Sequence, residues 1–313
     1  MGKERNYTSM GNKLIHHPEV IALLQKNRAV PVSIQVAPTS RCQLKCSFCS
    51  NVNRKKNEDI EYSVFLTFLR TVLELGAKTV EWTGGGDPTL HPDINKMIQV
   101  ANSLKLEQGL ITNGLGFDNI DKKNLSLLKW VRISMNCLDY VDKVDLPKLS
   151  KGTTLGFSYV MNNNTTLESL GKLSYHVKKY APKYVRVVPN CQASEEEQIR
   201  NNKHYAKKIA KIGEPYFYQA KVFEKPNKCY WGYFKPFLLH DGFVYRCSSV
   251  VLNDDAERSF HNKYRWCHAS ELFKLYHKRI DPYIPKDCDK CVFTNQNNLI
   301  DSIISPNEMI NFI

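Results

Sequence analysis

The 313 residues are 42% hydrophobic and 24% charged, enough apolar material for a sizeable core, which excludes wholesale disorder. With 15 Gly and 14 Pro, a collagen-like or low-complexity architecture is excluded too. The 44 Lys and Arg against 31 Asp and Glu give a formal charge of +13, which points either to a polyanionic partner or to a generally basic surface.

No run approaches the roughly 18 apolar residues that cross a bilayer. The start, Met1-Gly2-Lys3-Glu4-Arg5-Asn6, lacks the apolar stretch of a secretory signal. The sequence therefore reads as a soluble cytoplasmic protein with no membrane partner.

Residues 1–30 form a helical lead-in, with a helix opening at Pro18. Val32–Val36 then alternates as a strand, and Ser63–Leu75 has Val64, Phe65, Phe68, Leu69, Val72 and Leu73 at helical spacing. Lys78–Thr83 is the next strand, and Pro92 opens a helix that runs to about Leu104. Further strands fall at Gly109–Thr112, Val131–Ser134, Gly156–Val160 and Tyr184–Val188, with Leu167–Tyr180 the clearest of the intervening helices. Six strands linked by helices imply an α/β fold with a parallel sheet, whose chemistry sits in the loops after the strands. The alternation ends near residue 215. Three regions follow: 1–30, 31–218, and a smaller Cys-rich 219–313.

Ten cysteines, at 42, 46, 49, 137, 191, 229, 247, 267, 288 and 291, stand in a chain with no export signal. A reducing compartment disfavours disulfides, so clustered cysteines point to metal or catalysis. Cys42, Cys46 and Cys49, directly after the first strand, have the spacing C-x3-C-x2-C. Three thiolates on a short loop can each reach a different iron of a cubane cluster and leave a fourth iron open. The alternative is a structural zinc site borrowing a distant ligand.

This loop, with Phe48 before the third Cys, resembles the signature of the radical S-adenosylmethionine (SAM) superfamily. The resemblance covers residues 31–190 and implies a partial (βα)6 TIM-like barrel as the core. It also implies a [4Fe-4S] cluster whose open iron is chelated by the SAM amine and carboxylate. Reductive cleavage of SAM would then yield a 5′-deoxyadenosyl radical that abstracts a substrate hydrogen, with flavodoxin or ferredoxin as electron donor. Trp82-Thr83-Gly84-Gly85-Gly86-Asp87-Pro88 is similar to the family's Gly-Gly-Glu-Pro segment, with Asp87 where Glu is commoner, and Thr112-Asn113-Gly114 is similar to its Thr-Asn-Gly. The resemblance thus makes Phe48, Gly84, Gly85, Gly86, Asp87, Asn113, Ser134, Asn136, Asn162 and Arg186 cofactor-site candidates.

Cys229, Gly242, Cys247, Cys288 and Cys291 look like the twitch form of the SPASM extension, which implies an auxiliary [4Fe-4S] cluster on those four cysteines. Asp241-Gly242 is a tight hairpin that would return Cys247 towards Cys229. A four-cysteine zinc ribbon remains the alternative, and Cys267 is either a spare ligand or a small buried hydrophobe. Cys137 and Cys191, ending strands four and six, are either hydrogen donors at the barrel mouth or simply buried.

Residues 201–240 interleave Lys203, Lys207, Lys208, Lys211, Lys221, Lys225, Lys228 and Lys235 with Tyr, Phe and Trp, and Arg54-Lys55-Lys56 adds charge near the first cysteine loop. Lysines attract phosphates and aromatic faces stack bases. A nucleotide or a base within nucleic acid is therefore the expected substrate. A peptide-modifying maturase is the alternative, since such extensions are common there; a zinc protein that binds nucleic acid is the third reading.

Overall fold

The computed structural model describes residues 7–8, 11–49, 51, 55, 57–220, 224–248, 264–286, 288 and 291–306. Seven strands run in parallel and in chain order: β1 (Ser33–Val36), β2 (Thr79–Trp82), β3 (Glu107–Thr112), β4 (Leu128–Ser134), β5 (Thr154–Met161), β6 (Tyr184–Pro189) and β7 (Tyr216–Tyr218). Helices Tyr62–Glu74, Ile94–Ser103, Leu167–Tyr180 and Glu195–Ile212 connect them. The first six strands and the expected helices lie where the hydrophobic periodicity puts them. The seventh strand and the Glu195–Ile212 helix extend the alternation beyond the expected six.

The C-terminal segment supplies β8 (Phe237–Leu238), β9 (Phe243–Tyr245) and β10 (Arg265–His268), and the sheet order is β10-β9-β8-β1-β2-β3-β4-β5-β6-β7. β8 lies parallel against β1, whereas β9 and β10 are antiparallel additions. The sheet is open, a partial barrel with a short antiparallel wing. Residues on both sides of the 218/219 division contribute to it. The β8–β9 turn is the expected hairpin: Gly242 has φ +80°, and its N–H donates to Leu239 O at 3.0 Å.

One apolar cluster lies between the sheet and its helices, with Ile34, Val36, Val80, Trp82, Leu110, Val131, Ile133, Phe157, Tyr159 and Val185 facing it. Successive strand residues face opposite ways, so Gln35, Glu81, Gly109, Arg132, Ser134, Gly156, Ser158, Tyr184 and Arg186 face the barrel lumen. Aromatic rings fill the lumen floor. Trp130 lies over Gly109 and Tyr184 over Gly156, where a Cβ would come within 2.0 Å and 2.1 Å of the rings. Tyr7 stacks on Tyr184 at 4.2 Å, and its carbonyl accepts from Arg132 Nη2 at 2.7 Å, so the lead-in plugs the bottom.

A buried pair stands in the lumen beside the floor: Lys235 Nζ donates to Glu81 Oε1 at 2.7 Å, and Gln35 Nε2 to Glu81 Oε2 at 3.0 Å. Burial alone would raise the Glu81 carboxyl, yet Lys235, Arg132 and Gln35 together hold it below its ordinary value. Among the described residues no helix is long and apolar enough to cross a membrane.

Candidate functional site

The cysteine loop leaves the end of β1 and is stapled at its base. Ser40 N donates to Glu58 O at 2.8 Å, Glu58 N to Ser40 Oγ at 2.9 Å, and Arg41 Nη2 meets Asp59 Oδ2 at 2.7 Å. Cys42, Cys46 and Cys49 form no disulfide and are partly buried on this loop. Cys49 N donates to Cys46 O at 3.1 Å. Burial first, and then the neighbouring Cys49 and Cys42, push the Cys46 thiol up to about 12. The structure therefore brings the three sulfurs into one neighbourhood. Phe48 sits partly buried between them in the chain.

The glycine run after β2 lies flat against this loop. A Cβ on Gly86 would come within 2.0 Å of Arg41 O and 2.5 Å of Ser40 C, so no other residue permits the contact. Asp87 N then donates to Arg41 O at 2.6 Å. A Cβ on Gly84 would meet the Gly86 carbonyl at 3.0 Å, and one on Gly85 would come within 3.0 Å of His240 Nδ1. His240 itself meets Glu58 Oε2 through Nε2 at 3.1 Å, which joins the C-terminal hairpin to the base of the cysteine loop.

Asp87 turns away from the lumen. Its Oδ1 accepts from Thr89 N at 3.1 Å, Thr89 Oγ1 at 2.7 Å and Thr112 Oγ1 at 2.9 Å, and its Oδ2 accepts from Asn113 N at 2.7 Å. With these acceptor sites filled and 2% exposure, Asp87 is a brace between two loops rather than an open ligand. Asn113 reaches back, donating from Nδ2 to Gln43 Oε1 at 3.0 Å and towards Cys42 Sγ at 3.7 Å.

The two asparagines beyond β4 and β5 are also braces. Asn136 clamps β5, accepting from Val160 N at 2.7 Å and donating to Val160 O at 2.9 Å. Asn136 and Asn162 both donate to Asp139 Oδ2, at 2.9 Å and 3.2 Å, and Tyr159 OH donates to Asp139 Oδ1 at 2.5 Å. Ser134, by contrast, makes no side-chain hydrogen bond among the described residues. Arg186 faces the lumen, donating from Nη1 to Gln219 Oε1 at 3.3 Å. Cys137 is 1% exposed, and burial pushes its thiol up to about 12, so it belongs to the core; Cys191 is exposed just past β6.

Sequence reasoning missed Tyr140. Its hydroxyl accepts from Ser47 N at 3.2 Å and from Asn164 Nδ2 at 3.2 Å, beside the Cys46 thiol, whose burial-driven rise it partly offsets. Only the position just past β4 could have signalled it.

The C-terminal cysteines gather around Cys229. Cys229 N donates to Tyr283 O at 2.8 Å and Tyr283 N to Cys229 O at 3.1 Å, a bridge that draws in the segment leading to Cys288. Burial, then Cys247, then Cys291 and Cys288 push the Cys229 thiol up to about 12, so these thiols share one neighbourhood. Cys267 is not among them: on β10 it pairs with Val244 of β9 and packs against the core.

The sequence profile of the Radical SAM superfamily matches residues 36–145, the segment that carries the cysteine loop, the glycine run and Asn113. Over those residues the chain is similar to a radical SAM domain. It is similar to a PqqA peptide cyclase of Gluconobacter oxydans, 33% identical over 90 residues, 28% of this chain and 25% of that protein. A PqqA peptide cyclase of Xanthomonas oryzae is 28% identical over 113 residues, 35% of this chain and 30% of that protein. The match thus spans less than a third of the length of these relatives.

In fold the chain resembles SuiB of Streptococcus suis bound to the precursor peptide SuiA, with TM-score 0.54 and 15% identity over 85% of this chain and 72% of that one. It also resembles anSMEcpe with bound AdoMet and Cp18Cys peptide, with TM-score 0.50 and 16% identity over 90% and 86%.

Radical SAM domains take a [4Fe-4S] cluster and SAM, and the donor set fits: three soft thiols in one neighbourhood beside a closely packed glycine run. Among the described residues no three His, Cys, Asp or Glu side chains converge enough to hold one metal ion. Thiolates that each bind a different iron of a cubane stand farther apart than the ligands of a single ion.

Among the described residues the expected basic–aromatic surface does not form. Lys203, Lys207, Lys208 and Lys211 lie on the solvent face of the Glu195–Ile212 helix, whereas Tyr230, Trp231, Tyr233 and Phe234 are buried in the core. Lys235 is spent on Glu81. Arg54, Lys56 and Lys221 lie outside the described residues. Phosphate attraction and base stacking need cation and ring on one face, and here they point apart.

Proposed function

We propose that this chain is a radical SAM enzyme that modifies a peptide. Cys42, Cys46 and Cys49 hold the SAM-binding cluster, and Cys229, Cys247, Cys288 and Cys291 hold an auxiliary one. The observation that carries the reading is the contact of Gly86 with Arg41, which sets three neighbouring thiols beside the glycine run. When bound, the cluster and SAM supply reductive cleavage of a carbon–sulfur bond and, from it, a hydrogen-abstracting carbon radical.

The protein's part is placement. Asp87 fixes the glycine run to Asn113, Asp139 fixes the β4 and β5 loops, and the aromatic floor closes the lumen below. Support for a peptide over a nucleotide comes from the names of the relatives and from the scattered basic–aromatic residues. Flavodoxin or ferredoxin is the proposed reductant.

Anaerobic reconstitution tests the reading, with an expectation of brown protein carrying about eight irons per chain. Dithionite and SAM then give 5′-deoxyadenosine, and a mixed peptide pool raises its yield where nucleotide and RNA pools do not. Colourless protein that holds zinc and no iron would leave only the zinc reading; stimulation by RNA alone would restore the nucleic-acid one.

A further inference from the structure

The turn between β8 and β9 presses one ring into the first site. β8 runs parallel to β1, with Leu238 opposite Val36, so its turn emerges at the same end of the sheet as the cysteine loop. The turn closes through Gly242 N donating to Leu239 O at 3.0 Å, which leaves His240 at its leading corner. The His240 side chain is 3% exposed. Its Nε2 meets Glu58 Oε2 at 3.1 Å, on the residue whose backbone staples the cysteine loop to Ser40. Another edge of the ring lies against the glycine run, where a Cβ on Gly85 would come within 3.0 Å of Nδ1 and 3.4 Å of Cε1.

That contact falls where the glycine run has least support. Thr83 N donates to Val36 O at 2.9 Å and Asp87 N to Arg41 O at 2.6 Å, so the run is anchored at both ends. Between these anchors, no backbone hydrogen bond joins Gly84, Gly85 or Gly86 to another backbone group among the described residues. Gly86 is wedged against Ser40 and Arg41, which leaves Gly84 and Gly85 to be placed by packing alone. Glycine has the freest backbone, and fixing it costs entropy. A ring seated against Gly85, and itself tethered to Glu58, restricts that freedom before any ligand arrives.

We propose that His240 is a positioning residue for SAM. It holds Gly84 and Gly85 in the position that receives the cofactor, and through Glu58 it ties that position to the loop bearing Cys42, Cys46 and Cys49. It acts through these neighbours rather than on the reacting atoms. The same hairpin continues along β9 to Cys247, so the ring also joins the first thiol set to the segment bearing the second. The proposal rests on the radical SAM reading above.

The test titrates the cluster-loaded chain with SAM by calorimetry, alongside an iron assay. His240→Ala should weaken SAM binding about tenfold through lost pre-ordering, with iron content retained. His240→Gln, which can still bond Glu58, should recover part of the loss. Gly85→Ala should also weaken SAM, because its methyl would collide with Nδ1. The deciding variant combines the two. Removing the ring makes room for the methyl, so Gly85→Ala with His240→Ala should bind SAM about threefold tighter than Gly85→Ala alone. A ring that merely props the fold would add its loss to that of the methyl. Should His240→Ala not fold, Glu58→Gln trades the charged partner for a neutral amide and should weaken SAM about threefold.

Unchanged SAM affinity in folded His240→Ala, or in Glu58→Gln where the former does not fold, overturns the proposal. So does a double variant that binds no tighter than Gly85→Ala. Loss of iron from His240→Ala overturns it too, since the ring would then be a prop of the cysteine loop. If the wild type takes up iron yet binds no SAM, the radical SAM reading fails and the proposal with it. If the wild type binds SAM and the His240 variants bind it equally well, His240 fails alone while that reading stands.

Discussion

Asp87 accepts the backbone N–H of Asn113 at 2.7 Å through a carboxylate buried to 2% exposure, so the glycine run and the end of β3 are tied by one side chain. Removing it orphans Thr112 Oγ1, Thr89 N and Asn113 N together. Asp87→Ala is expected to cost about 3 kcal/mol, since each buried orphan costs roughly 1–3 kcal/mol. It should also lower iron uptake at the first site. Urea denaturation and iron assay check this, and an unchanged midpoint would refute it. Asp87→Glu keeps the charge but adds a methylene to a filled space, for a smaller loss of about 1–2 kcal/mol.

Lys235 and Glu81 are both largely buried, so breaking the pair from one side should be severe. Lys235→Met is expected to cost about 3–5 kcal/mol by leaving a buried carboxylate unpaired. The pH response should reverse as well. In the wild type the Glu81 carboxyl is held low, so it stabilises the fold at neutral pH and that contribution fades as pH falls through its folded value. In the variant, burial raises the group instead, so acidification from pH 7 to pH 5 should strengthen the fold. Denaturant titrations at the two pH values decide it.

Thiol accessibility gives a chemical map of the metal-free chain. Thiolates are the reactive form, so thiols pushed up to about 12 react slowly at neutral pH. Cys46, Cys137, Cys229 and Cys267 should therefore resist iodoacetamide, while exposed Cys191 is modified first. Mass spectrometry of timed samples reads the order; early loss of Cys137 would contradict its place in the core.

Tyr140→Phe removes the hydroxyl that favours the Cys46 thiolate. A hydrogen bond to a ligating thiolate favours the reduced cluster, so its loss should shift the potential negative by tens of millivolts, where about 59 mV is a tenfold change for one electron. An EPR-monitored titration reads the shift. Cluster content should be unchanged.

Cys229→Ser separates the two thiol sets. Iron should fall from about eight to about four per chain, with SAM still cleaved on reduction, whereas Cys46→Ser abolishes cleavage. Loss of cleavage in Cys229→Ser would mean that the second set is needed before SAM reacts.

Much of this was readable from residue order. The β1 to β6 strands have period-two or apolar runs, and the C-x3-C-x2-C spacing is a local pattern that survives folding. Tyr216-Phe217-Tyr218 escaped notice because a three-residue strand is too short to show a period. Asn136 and Asn162 look like ligands in sequence because they end strands; only in three dimensions do they converge on Asp139. Composition misled between residues 201 and 240, where neighbouring Lys and aromatic residues leave on opposite sides of the chain. Lys235 finds its partner 154 residues away.

The parallel pairing of β8 with β1 reaches beyond the sheet itself. Gln35 N donates to Pro236 O at 3.0 Å and Ala37 N to Leu238 O at 2.9 Å, so the strand that launches the cysteine loop leans on the C-terminal segment for its outer rungs. The tail is therefore no detachable accessory. Any tail grafted in its place would have to bring an extended stretch of its own to the bare edge of β1, whatever thiols it carried, or the loop bearing Cys42 would spring from a frayed support.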